Sequence, residues 1–140
     1  MLGRNSFTQD EIDHAKELLA QQVAAYKTLA EATVNDKKAT AALDTFEPLF
    51  FNNLALALDR YFVHRVRPVT GKDGNPLNEL EMVVESLMNN NGQMAASKVI
   101  KMVPDQSILK LQVGDRIALT LDQFERLCAA FFEELQRKFV

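Results

Sequence analysis

The chain has 140 residues, a formal net charge of −3 at pH 7, and hydrophobic residues at 47% of its positions. These totals are typical of a single globular domain, residues 1–140, and exclude a chain that is disordered throughout. The acidic balance argues against nucleic acid as a partner, because nucleic-acid-binding proteins gain most of their affinity from excess lysine and arginine.

The cysteine content and the length of the apolar runs indicate the cellular compartment in which we expect the protein. Cys128 is the only cysteine, so no disulfide can form within the chain, as is usual for a protein of the reducing cytoplasm. The N-terminal residues contain no basic segment followed by an apolar core, so we expect no signal peptide. No run approaches about 18 consecutive apolar residues, the length that spans a membrane. We therefore expect a cytoplasmic protein that is not associated with membranes.

The first predicted helix begins at Thr8, which has Glu11 three residues later and so forms a capping box. Apolar residues then recur at helical spacing: Ile12, Leu19, Val23, Tyr26 and Ala30. The end of this helix stays open, because Asn35–Asp36 favours a stop while the following residues could extend the helix to Leu43.

A second helix is predicted from about Asp44 to Arg67, with Pro48 in its first turn, where a proline is tolerated. One face is apolar: Phe51, Leu54, Ala55, Leu58, Phe62 and Val66. Leu49 and Leu56 lie on the far side. A helix that is apolar around so much of its circumference is central in a core or shared with a second subunit.

A turn at Asp73–Gly74 leads to a third helix, which Asn75 caps, Pro76 opens and Gly92 terminates. The next three runs, "KVIKMV", "SILKLQV" and "RIALT", are short and rich in β-branched residues, and Gly114–Asp115 between the last two suits a hairpin turn. We expect two or three strands between residues 93 and 120.

A second capping box, Thr120 with Gln123, opens the fourth helix, which runs to the end of the chain. The predicted fold is mainly α: a four-helix bundle with a small β-hairpin inserted between helices 3 and 4.

The most unusual stretch is "RYFVHRVRPVTGKDGNPLNELE", residues 60–81, which concentrates basic side chains in an acidic protein. If the helix continues to Arg67, four polar side chains lie along one line opposite its apolar face, and Lys72 follows in the loop. Two guanidiniums flanking an imidazole suit a phosphate or a carboxylate. The candidate ligand-binding residues are therefore Asn53, Arg60, His64, Arg67 and Lys72.

The same charges have an ordinary structural interpretation, which we weigh above the binding one. Cations near a helix C-terminus stabilise the helix dipole, and Asp59 and Glu81 can form surface ion pairs with them. His64 is also the candidate general base of a small enzyme, with Arg60 and Arg67 orienting an anionic substrate.

Metal ligands are too few for the common metal sites, so we expect no metal and no cofactor. Glu11 and His14 have the spacing of half a di-iron motif, but His64 has Tyr61 instead of an acidic residue three positions before it. Common zinc sites need more cysteine and histidine than two histidines and one cysteine. Cys128 lies in the apolar stripe of the fourth helix, where a cysteine is usually a small core residue.

The segments "DRYFVHRVRPVTGKDGNPLNELEMVVESLMNNNG", "LQVGDRIAL" and "FFEELQRKF" resemble small bacterial helical proteins, of a kind associated with actinobacteria, whose function is not assigned. The resemblance covers about residues 44–140 and implies no catalytic residues. The chain does not resemble the DinB and hemerythrin-type bundles, because it lacks their several metal-binding histidines.

The sequence best fits a non-enzymatic helical-bundle protein, a homodimer, that binds a protein partner or a small anionic ligand. The paired phenylalanines, Phe50–Phe51 and Phe131–Phe132, favour this hypothesis because they point in two directions from their helices. A small enzyme using His64 as general base is the alternative. A nucleic-acid accessory protein using the same basic line is a weaker one.

Overall fold

The structure is a computed structural model that describes residues 3–140, so Met1 and Leu2, the start of the stretch inspected for a signal peptide, lie outside it. The described chain is mainly helical, as predicted. The helices are α1 (Gln9–Ala32), α2 (Lys37–Tyr61), α3 (Arg67–Thr70), α4 (Pro76–Asn89) and α5 (Leu121–Phe139), with a 3-10 turn at Pro104–Gln106.

The core lies around α2, which packs against α1, α4 and α5, while α4 also packs against α5. Phe62, immediately after α2, contacts the rings of Phe7, Phe131 and Phe132 with ring centroids 5.2, 5.9 and 5.8 Å apart. Burial of each such side chain contributes about 1.5–3 kcal/mol. This cluster therefore fixes the N-terminal segment and the second half of α5 to the end of α2.

The helix starts follow from local capping, as the sequence predicted. Thr8 and Glu11 exchange the two hydrogen bonds of a capping box, and so do Thr120 and Gln123. The Asn75 side chain accepts hydrogen bonds from the backbone N–H groups of the residues that open α4. In each of these hydrogen bonds the two residues are no more than three positions apart, so the caps depend little on the rest of the fold.

Both predicted ends of the second helix are wrong. The helix begins at Lys37, after Asp36, whose carboxylate accepts from the Ala39 N–H at 3.0 Å, and Pro48 lies in its interior. Packing of the following apolar face compensates for the helix bond that this proline removes. At the other end the helix stops at Tyr61, and His64 adopts a left-handed φ of 66°.

The predicted β-hairpin is absent, because the described residues contain helices, turns and three isolated bridges but no strand. The turn at Gly114 and Asp115 forms, with the Asp115 N–H donating to the Gln112 carbonyl at 3.0 Å, but its backbone then pairs with an earlier segment instead of with residues 107–111. The Met94 N–H donates to the Asp115 carbonyl at 2.8 Å, and the Gly114 N–H donates to the Met94 carbonyl at 2.8 Å. The fold is therefore a five-helix domain with an irregular loop before α5.

A buried carboxylate accepts hydrogen bonds from two consecutive backbone N–H groups of the first strand of the predicted hairpin. The N–H groups of Ile108 and Leu109 donate to Glu79 Oε1 and Oε2 at 2.9 and 2.8 Å, and Glu79 is only 2% exposed. Burial raises the pKa of this carboxyl group above its ordinary value. Glu79 therefore anchors the loop to α4 in place of a strand ladder.

The hairpin of α1 and α2 has a tip without a core of its own, because no residue between positions 27 and 49 is fully buried. Leu43 is half-buried against the core, and the other larger apolar side chains are exposed: Leu29, Val34, Phe46 and Leu49. Elsewhere the same two helices bury continuous apolar faces. The tip is therefore an apolar surface that the described chain leaves uncovered.

Two further expectations concern membranes and metals. No helix among residues 3–140 combines the length and the apolar character needed to cross a membrane. Within the same residues, no group of three or more histidine, cysteine, aspartate or glutamate side chains is arranged to hold a metal ion.

Candidate functional site

The five predicted ligand-binding residues do not share one helix face, because α2 ends at Tyr61. Asn53 and Arg60 lie on α2, and both are exposed; His64 is exposed in the turn that follows. Arg67 opens α3, and Lys72 is exposed in the loop before α4. The line that a continuous helix would have formed is broken after its first two members.

Arg67 is a structural residue that joins α3 to α4. Its guanidinium donates to Asn78 Oδ1 at 2.9 Å, to the Gly71 carbonyl at 3.1 Å and to Glu81 Oε2 at 2.5 Å. Asn78 is fully buried and itself donates to the carbonyl groups of Gly71 and Asp73. These partners occupy Nη1 and one donor of Nη2, and the Glu81 carboxylate neutralises the charge, so Arg67 is poorly placed to bind an anion.

Arg65, a neighbour that the predicted site did not include, is the most deeply buried arginine side chain of the stretch, at 5% exposure. It donates to Asp59 at 2.9 Å and to the Phe62 carbonyl at 2.9 Å, and its guanidinium lies 5.2 Å from the centre of the Phe131 ring. Its Nε is buried without a partner among the described residues.

His64 lines a shallow pocket of about 270 Å³ beside Arg65, whose other polar walls are Asp59 and Glu81. Two carboxylates at this pocket disfavour an anionic occupant, although each is paired with an arginine. Of the five predicted residues, His64 lines this pocket and the other four do not. Anion binding by Asn53, Arg60, His64, Arg67 and Lys72 stays a prediction.

A larger groove lies between α1 and α5, on the side of the bundle where these two helices meet. Its volume is about 580 Å³, within the range of roughly 300–1,000 Å³ that is common for small-molecule sites. The floor is formed by large apolar side chains that also belong to the core or pack against it: Leu19, Val23, Phe124, Cys128 and Phe132.

Small residues keep this groove open. Ala20 and Ala24 are one helical turn apart on α1, and Ala129 faces them from α5; all three are exposed. Larger residues at these positions would fill the space above the floor. The groove therefore results from three alanines beside an apolar stripe, which would otherwise continue onto the surface.

Two lysines and two glutamates form the rim of the groove. Lys27 is paired with Glu125 across one end, with the two charged atoms 3.1 Å apart. Lys16, toward the other end, has its amine 5.4 Å from the centre of the Phe132 ring and makes no ion pair among residues 3–140. Glu133 completes the rim. Lys16 is thus the cation of the groove that is left for an external anion.

Cys128 lies half-buried in the floor of the groove. Burial raises the pKa of its thiol to about 12, with a smaller opposing effect from Lys16. A protonated thiol is a weak nucleophile, so Cys128 serves here as part of an apolar surface. This agrees with its expected role as a small hydrophobic residue.

Sequence reasoning did not find the groove, because its walls come from helices about a hundred residues apart. The available signal was local: Ala20 and Ala24 follow the apolar positions Leu19 and Val23 by one residue each. That spacing indicates a helix face with small side chains beside the apolar stripe of α1. It does not tell which other helix lies next to it.

No family model matches the chain, and comparisons with curated proteins and with solved structures found no match. The resemblance to small bacterial helical proteins stays a prediction.

Proposed function

We propose that this is a non-enzymatic binding protein of the cytoplasm whose site is the α1–α5 groove. The occupant is a small amphipathic acid: an apolar chain or ring lies over the floor, and its carboxylate or similar anionic group pairs with Lys16. The observation that carries the proposal is an open apolar groove of about 580 Å³ with a lysine at its rim that forms no ion pair within the described part of the chain.

The apolar part supplies most of the affinity. Covering the exposed parts of Val23, Cys128 and Ala24 removes apolar surface from water, which contributes about 25 cal/mol per Å². The ammonium of Lys16 supplies orientation, since a partly exposed ion pair contributes only about 0.2–1 kcal/mol. A neutral ligand of the same shape should therefore bind somewhat more weakly, but in the same place.

The alternative enzyme, with His64 as general base on an anionic substrate, is supported less well. The pocket at His64 is about half as large as the groove, and Asp59 and Glu81 line it. An anionic substrate would meet these carboxylates before it reached the imidazole. The nucleic-acid alternative needs the continuous basic line, which the end of α2 at Tyr61 interrupts.

Calorimetric titration with decanoate and with decanol tests the proposal. We expect both probes to bind, and we expect Lys16→Gln to weaken decanoate binding by about twofold to fivefold while leaving decanol unchanged. If neither probe binds to the wild-type protein, the groove is not a ligand site. If Lys16→Gln affects both probes equally, the assigned position of the anionic group is wrong.

Two leucine substitutions on α1 form a matched pair for locating the probe. Ala24→Leu places a larger side chain in the groove, whereas Ala25→Leu makes the same change at an exposed position that does not line it. We expect Ala24→Leu to abolish or strongly weaken binding of both probes and Ala25→Leu to bind like the wild type. Equal effects of the two substitutions would contradict the groove as the binding site.

A further inference from the structure

The outward face of α2 carries a heptad repeat that the single chain does not use. Seven residues follow one another at alternating spacings of three and four: Ala39, Ala42, Phe46, Leu49, Asn53, Leu56 and Arg60. We call these residues the α2 outer seam. At 3.6 residues per turn they fall within an arc of about 100°. An apolar repeat of this spacing is the pattern by which helices pair in coiled coils.

The α2 outer seam points away from the core of the domain. The buried residues of α2, Phe51 and Leu58 among them, lie on the opposite side of the helix. Phe46 is 44% exposed and Leu49 is 59% exposed, and they stand at the middle of the seam. Large apolar side chains at the centre of an uncovered heptad repeat indicate a surface that is covered by another helix.

The middle of the seam is already ordered. The Phe46 ring stacks on Phe50, with ring centroids 5.4 Å apart, and Phe50 stacks on Tyr26 of α1 at 5.7 Å. This aromatic column ties the exposed ring to the core. A partner would therefore lose little side-chain freedom by packing on Phe46, which favours binding.

We propose that the occupant is a second copy of this chain, with the two α2 helices packed antiparallel through their outer seams. The symmetric contact has Phe46 of each copy against Leu49 of the other. The proposal is independent of the ligand of the α1–α5 groove, because the groove and the seam share no residue.

The sizes of the side chains that face each other favour the antiparallel arrangement. Asn53 lies seven residues after Phe46, and Ala42 lies seven before Leu49, so the two face each other across the pair. Leu56, ten residues after Phe46, meets Ala39, ten residues before Leu49, in the same way. Large residues thus face small ones on both sides of the central contact. In a parallel pair the alanines would face alanines at one end and leave a gap.

Charge favours the same arrangement. Within residues 3–140 the Arg60 side chain makes no hydrogen bond or ion pair, and it lies fourteen residues after Phe46. Fourteen residues before Leu49 is Asn35, so in the antiparallel pair each Arg60 lies opposite a neutral residue of the other copy, which Asp36, Lys37 and Lys38 follow. A parallel pair would place the two Arg60 guanidiniums side by side, where like charges repel each other.

The first test is the mass of the full-length protein in solution, measured by sedimentation over a dilution series. We expect the wild type to be a dimer that dissociates on dilution, Leu49→Lys to be monomeric, and Met88→Lys to remain dimeric. Met88, which is 64% exposed on α4, is the matched control for adding a lysine to an exposed apolar position. A monomeric wild type, or a Leu49→Lys variant that still dimerises, would overturn the proposal.

The second test concerns orientation and uses single cysteines on a Cys128→Ser background. We expect Asn53→Cys and Ala42→Cys to form a disulfide-linked heterodimer when the two variants are mixed, allowed to exchange subunits and treated with diamide. We expect neither variant alone to cross-link. A homodimer linked through Asn53→Cys would show a parallel pair and overturn the antiparallel arrangement. Circular dichroism establishes that each variant keeps its helix content.

Discussion

Replacing Glu79 by alanine should destabilise the protein because the loop before α5 depends on this carboxylate. The N–H of Leu109 is buried with Glu79 Oε2 as its acceptor, and the N–H of Ile108 donates to Oε1 from a partly buried position. A buried donor left without an acceptor costs about 1–3 kcal/mol, and a donor that water can reach costs less. We therefore expect Glu79→Ala to lower the free energy of unfolding by about 2–4 kcal/mol.

The assay is urea unfolding, compared with hydrogen exchange of the two amides. Glu85→Ala is the control, because Glu85 is exposed on the same helix and bonds only to Asn89 within the described residues. We expect that control to change stability by no more than about 0.5 kcal/mol. In Glu79→Ala the amides of Ile108 and Leu109 should also exchange faster. A loss of stability no larger than that of Glu85→Ala would refute the reasoning.

The pH dependence gives the same prediction a second test. Burial raises the pKa of Glu79 in the folded state above its ordinary value of 4.5, so the folded protein binds this proton more tightly than the unfolded chain does. The contribution of Glu79 to stability is therefore fully present below about pH 4.5 and is lost as the pH rises through the folded pKa. The stability difference between wild type and Glu79→Ala should be larger at pH 4 than at pH 7. A stability difference between the two proteins that grows with pH would contradict the raised pKa of Glu79.

Three further outcomes are expected. Arg67→Met should lower the free energy of unfolding by about 1.5–3 kcal/mol by urea titration, because it removes the hydrogen bonds between α3 and α4, whereas Lys72→Met should change it by less than about 0.5 kcal/mol. Equal effects would show that Arg67 is not structural. Glu11, whose pKa the hydrogen bond from Arg4 lowers to about 2, should stabilise the fold above pH 4.5 and lose that contribution as the pH falls toward 2; Glu11→Gln should therefore remove about 0.2–1 kcal/mol at pH 7 and almost nothing at pH 2. Cys128, with a thiol pKa raised to about 12, should react with iodoacetamide at least about a hundredfold more slowly in the folded protein than in urea, and comparable rates would contradict its burial.

The parts of the fold that could be predicted from the sequence are those fixed by neighbouring residues. The capping boxes of Thr8 and Thr120 each satisfy backbone groups three residues away, so tertiary contacts were not needed to find them. The predicted hairpin was wrong because its formation depends on contacts between residues far apart in the sequence. The runs at residues 107–113 and 116–120 have the composition of strands, but the first is bonded to Glu79, about 30 residues earlier, and the turn between them pairs with Met94.

The predicted alignment of the basic residues on one helix was wrong because one helix boundary was misplaced, while anion binding by these residues stays a prediction. The basic line depended on a helix continuing to Arg67, and the backbone leaves the helical region after Tyr61. Arg67 then pairs with Asn78 and Glu81, partners on a helix whose position relative to α3 the sequence does not reveal. The groove between α1 and α5 could not be predicted either, because the sequence does not reveal that these two helices are neighbours.

The α2 outer seam, by contrast, was accessible from the sequence. Leu49 and Leu56 lie on the far side of the helix from its apolar face, and a helix of this kind was expected to be central or shared with a second subunit. Asn53 and Arg60 were interpreted as anion ligands, so they were not grouped with these leucines. The structure places all four on one side of the helix in heptad register, with Leu49, Asn53 and Arg60 exposed and Leu56 half-buried.

The measurement that tests the binding site most directly is a map of amide chemical-shift changes when decanoate is added to the isotope-labelled full-length protein. The account predicts that the largest changes lie at the walls and floor of the groove, at Ala20, Ala24, Cys128 and Ala129. Changes concentrated between Arg60 and Lys72, or none at any residue, would contradict it.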